Sequence, residues 1–255
     1  MHDKYDVLLT YPGDDPLATA FVMMNIIQQI SPVPLLNIND VRLWLTHTPV
    51  LVRRGINQES ARLVQERFEA IGASVVIIPS ELLFPQDTQG ISHWCNEWFS
   101  EHLVALHETG LAYWAQDVEA NEVYRFSYLP SIGMDVTIRL WREGNHYYGS
   151  VRRSMGSIGP LPGPPAYDVQ WTATQEDWQA LNISIQAHHF WNSKSWDTVP
   201  DGYVVLDSVH WVVEGWRKKQ YHVLFDQTPD AGAAREVGLL LLGLLPDEFT
   251  HMALE

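Results

Sequence analysis

Cysteine is nearly missing: Cys95 stands alone in 255 residues. One thiol excludes an intrachain disulfide and suits a reducing compartment, so the expectation is a cytoplasmic protein. Basic residues are scarce as well, with 16 Lys and Arg against 31 Asp and Glu and a formal net charge of -15. That balance argues against non-specific binding to nucleic acid or to an anionic membrane, since both need a positive field. It fits a soluble protein, or one whose partner is basic. No apolar run approaches the ~20 residues that span a bilayer. The longest, Val237 to Leu245, reads as a buried helix, and no charged-then-apolar leader opens the chain. The usual catalytic signatures are missing too. There is no Gly-x-Ser-x-Gly, no His-Glu-x-x-His and no phosphate loop ending in Gly-Lys-Ser/Thr. Gly156-Ser157-Ile158-Gly159 is followed by proline instead of a helix.

What is present begins with a strand, Tyr5 to Thr10, and a turn at Pro12-Gly13. Asp15-Pro16 then supplies a carboxylate cap and a proline at the first helical position. Leu17, Phe21, Met24, Ile27 and Gln28 follow at helical spacing, and Val22, Met23, Ile26 and Ile30 widen the apolar face. A shorter helix is expected over about Asn39 to Thr46. After Pro49 an apolar strand leads through Arg53-Arg54-Gly55-Ile56 to Asn57 as a cap, and Ala61, Val64, Phe68 and Ile71 form the buried stripe of a third helix. Gly72 stops that helix and opens the closing run Gly72-Ala73-Ser74-Val75-Val76-Ile77-Ile78, read as the last strand. The order is strand-helix-helix-strand-helix-strand.

This pattern resembles the C-terminal domain of the bacterial ribosomal stalk protein, most specifically from Pro49 to Ile78. The protease adaptor ClpS is similar in fold. The resemblance implies a domain that binds other proteins and does no chemistry. Stalk domains dock translation factors with cationic side chains on their first helix; the matching positions here are Pro16, Phe21 and Met24. Phe21, Met23 and Met24 are the candidate binding residues of an apolar docking patch, with packing inside the chain as the alternative.

The composition changes near residue 80. The expected division is 1–80, a connecting region over 81–120, and 121–253. Ser92 caps a connecting helix that carries Trp94, Cys95, Trp98, Phe99, His102 and Leu106. Its histidines lack paired metal-ligand spacing, so neither a metal nor a cofactor is expected. Beyond it, Val136 to Trp141 alternates strictly, Gly144-Asn145 forms a hairpin turn, and His146 to Met155 returns. That turn sets Trp141 opposite Tyr148 and Ile138 opposite Val151. Thr174 caps a helix with Trp178, Leu181 and Ile185 inward. A second hairpin joins Val205–Trp216 to Tyr221–Asp226 through Arg217 to Gln220, and Thr228-Pro229 opens a last helix with Val237, Leu240, Leu241 and Leu244 inward. Strands with segregated helices read as α+β. Leu206-Asp207-x-x-x-Trp211-x-x-Glu214-Gly215, with Phe190-Trp191, Tyr221-His222-Val223 and Thr228-Pro229, resembles a recurrent bacterial module with no activity to carry over.

Three functional classes remain. The first is a non-catalytic, adaptor-like protein that binds a protein partner, with an immunity or inhibitor protein for a basic target as its sharper form. Its 11 tryptophans and 10 tyrosines suit binding surfaces as well as cores. The second is an enzyme whose site lies on the second hairpin, where Asp207, His210, Glu214 and His222 are the catalytic candidates; His210 and Glu214 share a strand face. The third is a subunit of a larger assembly, whose signature is concentration-dependent self-association.

Overall fold

The computed structural model describes residues 4–30, 37–85, 91–158, 161–194 and 209–249. The chain divides into two compact units, one of residues 1–81, 101–108 and 154–166, the other of residues 82–100, 109–153 and 167–255. The fold is α+β.

The first unit runs β1 (Tyr5–Tyr11), α1 (Pro16–Ile30), α2 (Ile38–Trp44), β2 (Val50–Ile56), α3 (Gln58–Glu69) and β3 (Ser74–Pro79). Its sheet is antiparallel in the order β2-β1-β3. Local chemistry sets the helix ends. The Asp15 carboxylate accepts from the amides of Leu17 and Ala18 at 3.0 and 3.1 Å. Asn57 accepts from the Ser60 amide at 2.8 Å. Gly72 closes α3 at φ +77°, a conformation that costs glycine nothing. Ala61, Val64 and Phe68 of α3 pack with Met23, Ile26 and Ile27 of α1 and Val7 and Leu9 of β1. The Arg54–Asp6 ion pair is buried here: Arg54 Nη1 lies 2.8 Å from the Asp6 carboxylate, which also accepts from the Gly55 amide. Burial outweighs Arg54 and holds the Asp6 carboxyl above its usual range.

The second unit carries a six-stranded sheet of β4 (Glu122–Pro130), β5 (Val136–Glu143), β6 (His146–Ser154), β7 (Pro165–Thr172), β8 (Val209–Arg217) and β9 (Gln220–Gln227), in the order β7-β6-β5-β4-β8-β9. Its helices are α4 (His93–Ala105), whose last turn belongs to the first unit, α5 (Leu111–Asp117), α6 (Gln175–Ala187) and α7 (Ala233–Gly243). One face bears Tyr124, Phe126, Ile138, Leu140, Val213 and Leu224 and packs against α6 and α7. The opposite face presents Val123, Trp141 and Trp216 to α5. On that face Trp98 and Phe99 of α4 meet His210 and Phe225.

The β5–β6 register is the expected one, with Trp141 opposite Tyr148 and Ile138 opposite Val151. The Thr174 cap forms reciprocally, its side chain accepting from the Asp177 amide while Asp177 accepts from the Thr174 amide. Three expectations change. The sheet gains β4 as a central strand and β7 as an edge strand. The last helix begins at Ala233, not at Pro229, because Thr228 (φ +49°) and Gly232 (φ +106°) hold the backbone outside the helical region. The second hairpin turns more tightly than expected, through Lys218 and Lys219 alone, both at positive φ. Positions 205–208, including Asp207, lie outside the described residues.

Candidate functional site

The described catalytic candidates, His210, Glu214 and His222, do not gather. Glu214 sits on β8 directly opposite Arg125 on β4. Arg125 Nε donates to Glu214 Oε2 at 2.6 Å, and both side chains are 0% exposed. Arg125 Nη1 donates to the Thr109 carbonyl at 2.8 Å, and the Tyr221 hydroxyl donates to Glu214 Oε1 at 2.9 Å. Burial first, then the Glu214 charge, pushes the Tyr221 hydroxyl pKa far up. Glu214 is thus held in a buried structural network with Arg125 and Tyr221. His210 shares its face as expected, but four strand residues separate them by about 13 Å. The His210 ring packs 4.7 Å from Trp98 and 5.5 Å from Phe99. His222 is opposite Gly215 on β9 and points to the other face, where its ring lies 5.0 Å from Phe190. Burial lowers its pKa; bonds with the Ser193 and Phe190 backbone partly offset this. Strand geometry therefore sets His210 apart from Glu214 along one face and places His222 on the opposite face.

The docking candidates separate as well. Phe21 is 53% exposed, Met24 is half-buried against the first core, and Met23 is fully buried. Met23 follows Phe21 by two residues, or about 200° around a helix, so it faces inward. Met23 leaves the patch. Leu17, one turn before Phe21, is 45% exposed and shares its side. Tyr11 is exposed beside this helix start, and its hydroxyl donates to Asp14 at 2.6 Å.

The sequence reading missed a different constellation. At one end of the six-stranded sheet, Glu122 of β4 is flanked by Arg142 of β5 and Arg217 of β8 as direct cross-strand neighbours. With Asn121 and Lys218 they line a cleft of about 410 Å³. A chain of hydrogen bonds fixes its acid. Trp191 Nε1 donates to the Tyr124 hydroxyl at 3.2 Å, and that hydroxyl donates to Glu122 Oε1 at 2.6 Å. Burial and the Glu122 bond push the Tyr124 hydroxyl pKa well up, so it stays a donor. Arg217 lies 4.3 Å over the Trp191 ring and Arg142 6.0 Å from the Trp178 ring. Among the described residues, neither arginine nor Lys218 has a carboxylate within ion-pair distance. Arg142 Nε is buried without a hydrogen-bond partner.

Among the described residues no group of three or more His, Cys, Asp or Glu is arranged to hold a metal ion. No described helix is long and apolar enough to cross a membrane. No protein-family model matches the chain, and no curated protein shows significant sequence similarity to it.

Proposed function

We propose that this chain is a non-catalytic recognition protein whose first unit takes up a basic, amphipathic segment of a protein partner. The observation that carries the reading is the start of α1. Leu17 and Phe21 stand exposed one turn apart, with Asp14 and Asp15 beside them at the helix start. Two large apolar side chains flanked by carboxylates match a segment with apolar residues on one face and lysines or arginines at its rim. The net charge of -15 would speed that encounter. The likeness to the stalk-protein and ClpS-like domains belongs to the same reading, supported by the element order β1-α1-α2-β2-α3-β3. So does a cytoplasmic setting, supported by the single free Cys95. The dispersal of the acid–base candidates supports recognition over catalysis.

The test is fluorescence anisotropy with a labelled cationic amphipathic model peptide at low and moderate salt. Binding that weakens with salt, and falls about tenfold or more in Leu17→Ser/Phe21→Ser, is expected. Both side chains are exposed, so the variant should keep the parent unfolding midpoint. Equal binding by parent and variant would overturn the assignment to α1. No binding by the folded parent at either salt would overturn the partner chemistry.

A further inference from the structure

We propose that the cleft formed by Asn121, Arg142, Arg217 and Lys218 around Glu122 binds the phosphoryl group of a small phosphomonoester. Three cations face one carboxylate there, a surplus of two positive charges in a chain whose net charge is -15. A phosphomonoester carries close to two negative charges at neutral pH, whereas a carboxylate supplies only one. The arginines are also prepared for such a ligand. Each is half-buried and lies near a tryptophan ring, so little rotamer freedom is left to lose on binding. Their Cα atoms stand two strand spacings apart, about 9–10 Å, so the guanidinium groups approach the cleft from opposite sides.

Glu122 is the group expected to neutralise them, and it does not. Its Oε1 is taken by the Tyr124 hydroxyl, and no ion pair joins it to either arginine. A half-buried guanidinium with no carboxylate partner is a ready donor to an oxyanion in the cleft, through charge-assisted hydrogen bonds. A cleft of about 410 Å³ falls within the range of small-molecule sites and leaves space for more than phosphate itself. This site is independent of α1 and stands whether or not the peptide-binding reading does.

The experiment is isothermal titration of the full chain at constant ionic strength with inorganic phosphate, phosphoserine and acetate in turn. Saturable binding of either phosphate, with acetate at least about tenfold weaker, is expected. Phosphoserine binding more tightly than phosphate would identify an ester as the ligand; the reverse order would identify the free ion and overturn the ester assignment. Arg217→Ala should weaken binding about tenfold. Lys218→Asn should weaken it about threefold and suits the left-handed backbone at that position. Lys219→Asn removes the neighbouring charge, which does not line the cleft, and should change nothing. No saturable binding of either phosphate, equal binding of acetate, or equal effects of Lys218→Asn and Lys219→Asn would overturn the proposal.

Discussion

Removing the carboxylate of Glu214 while leaving Arg125 in place should be among the most damaging single changes in the second unit. The two side chains are fully buried and 2.6 Å apart. Taking charge centres about 4 Å apart and an effective dielectric of about 20, their attraction is ~4 kcal/mol. Glu214→Gln forfeits that attraction and strands a guanidinium in the sheet, for an expected loss of about 3–5 kcal/mol. Arg125→Met should cost a similar amount, because it strands the carboxylate instead. The double variant Arg125→Met/Glu214→Gln removes both charges and should cost far less than the sum, with a coupling energy of about 3 kcal/mol. Tyr221 donates to Glu214, so its hydroxyl would lose its charged acceptor and blur the comparison. Running the cycle in a Tyr221→Phe background removes that contribution, itself about 1–2 kcal/mol. Urea unfolding, followed by far-ultraviolet dichroism and tryptophan fluorescence, gives each value. A loss under about 1 kcal/mol for Glu214→Gln, or strict additivity of the pair, would refute the structural role and reopen a chemical one.

Three further outcomes follow from single positions. Gly149→Ala should destabilise by about 2–3 kcal/mol in thermal melts, since a Cβ there would overlap the Trp171 ring. Lys219→Gly should raise stability by about 0.5–1 kcal/mol in urea, because φ +66° is left-handed and favours glycine; a loss would mean the lysine side chain stabilises the turn. His222 is held below its ordinary pKa by burial, so the unfolded chain takes up that proton first as pH falls. Its contribution to stability is present above about pH 6.5 and is lost as pH falls from there through the folded pKa. His222→Phe should flatten that part of the stability profile relative to the parent, and an unchanged slope would contradict the assignment. Raised carboxyls at Asp6, Glu101 and Asp226 act with the opposite sign, which is why the comparison must be made between variant and parent.

The elements that the sequence announces are those with short-range chemistry. Asn57 and Gly72 bracket α3, Thr174 and Asp177 start α6, and Gly144-Asn145 fixes the β5–β6 register. Each signal lies within a few residues of what it specifies. β4 has no comparable signal. As the central strand it is buried on both faces, so Tyr124 and Arg125 are equally hidden and the usual inward–outward alternation is lost. At the start of α7, Thr228-Pro229 has the letters of a helix opening, yet the backbone of Thr228 is left-handed. A residue pair that suits two conformations is decided by what surrounds it.

The cationic cleft was hidden for a related reason. Arg142 ends one hairpin strand and Arg217 another, and each alone reads as a solvated turn residue. They become neighbours of one cleft only because β4 lies between β5 and β8, with Glu122 opposite both. The same β4–β8 register sets Arg125 against Glu214 three rungs further along the sheet. Side chains alternate with period two, so a slip of one residue would turn Glu214 toward the apolar face of Tyr124 and Phe126. It would also remove Arg217 from the side that Glu122 occupies. The buried ion pair therefore penalises the register in which the cleft cannot form, and a buried contact on one face becomes a condition for the cleft's charges to stand together on the other.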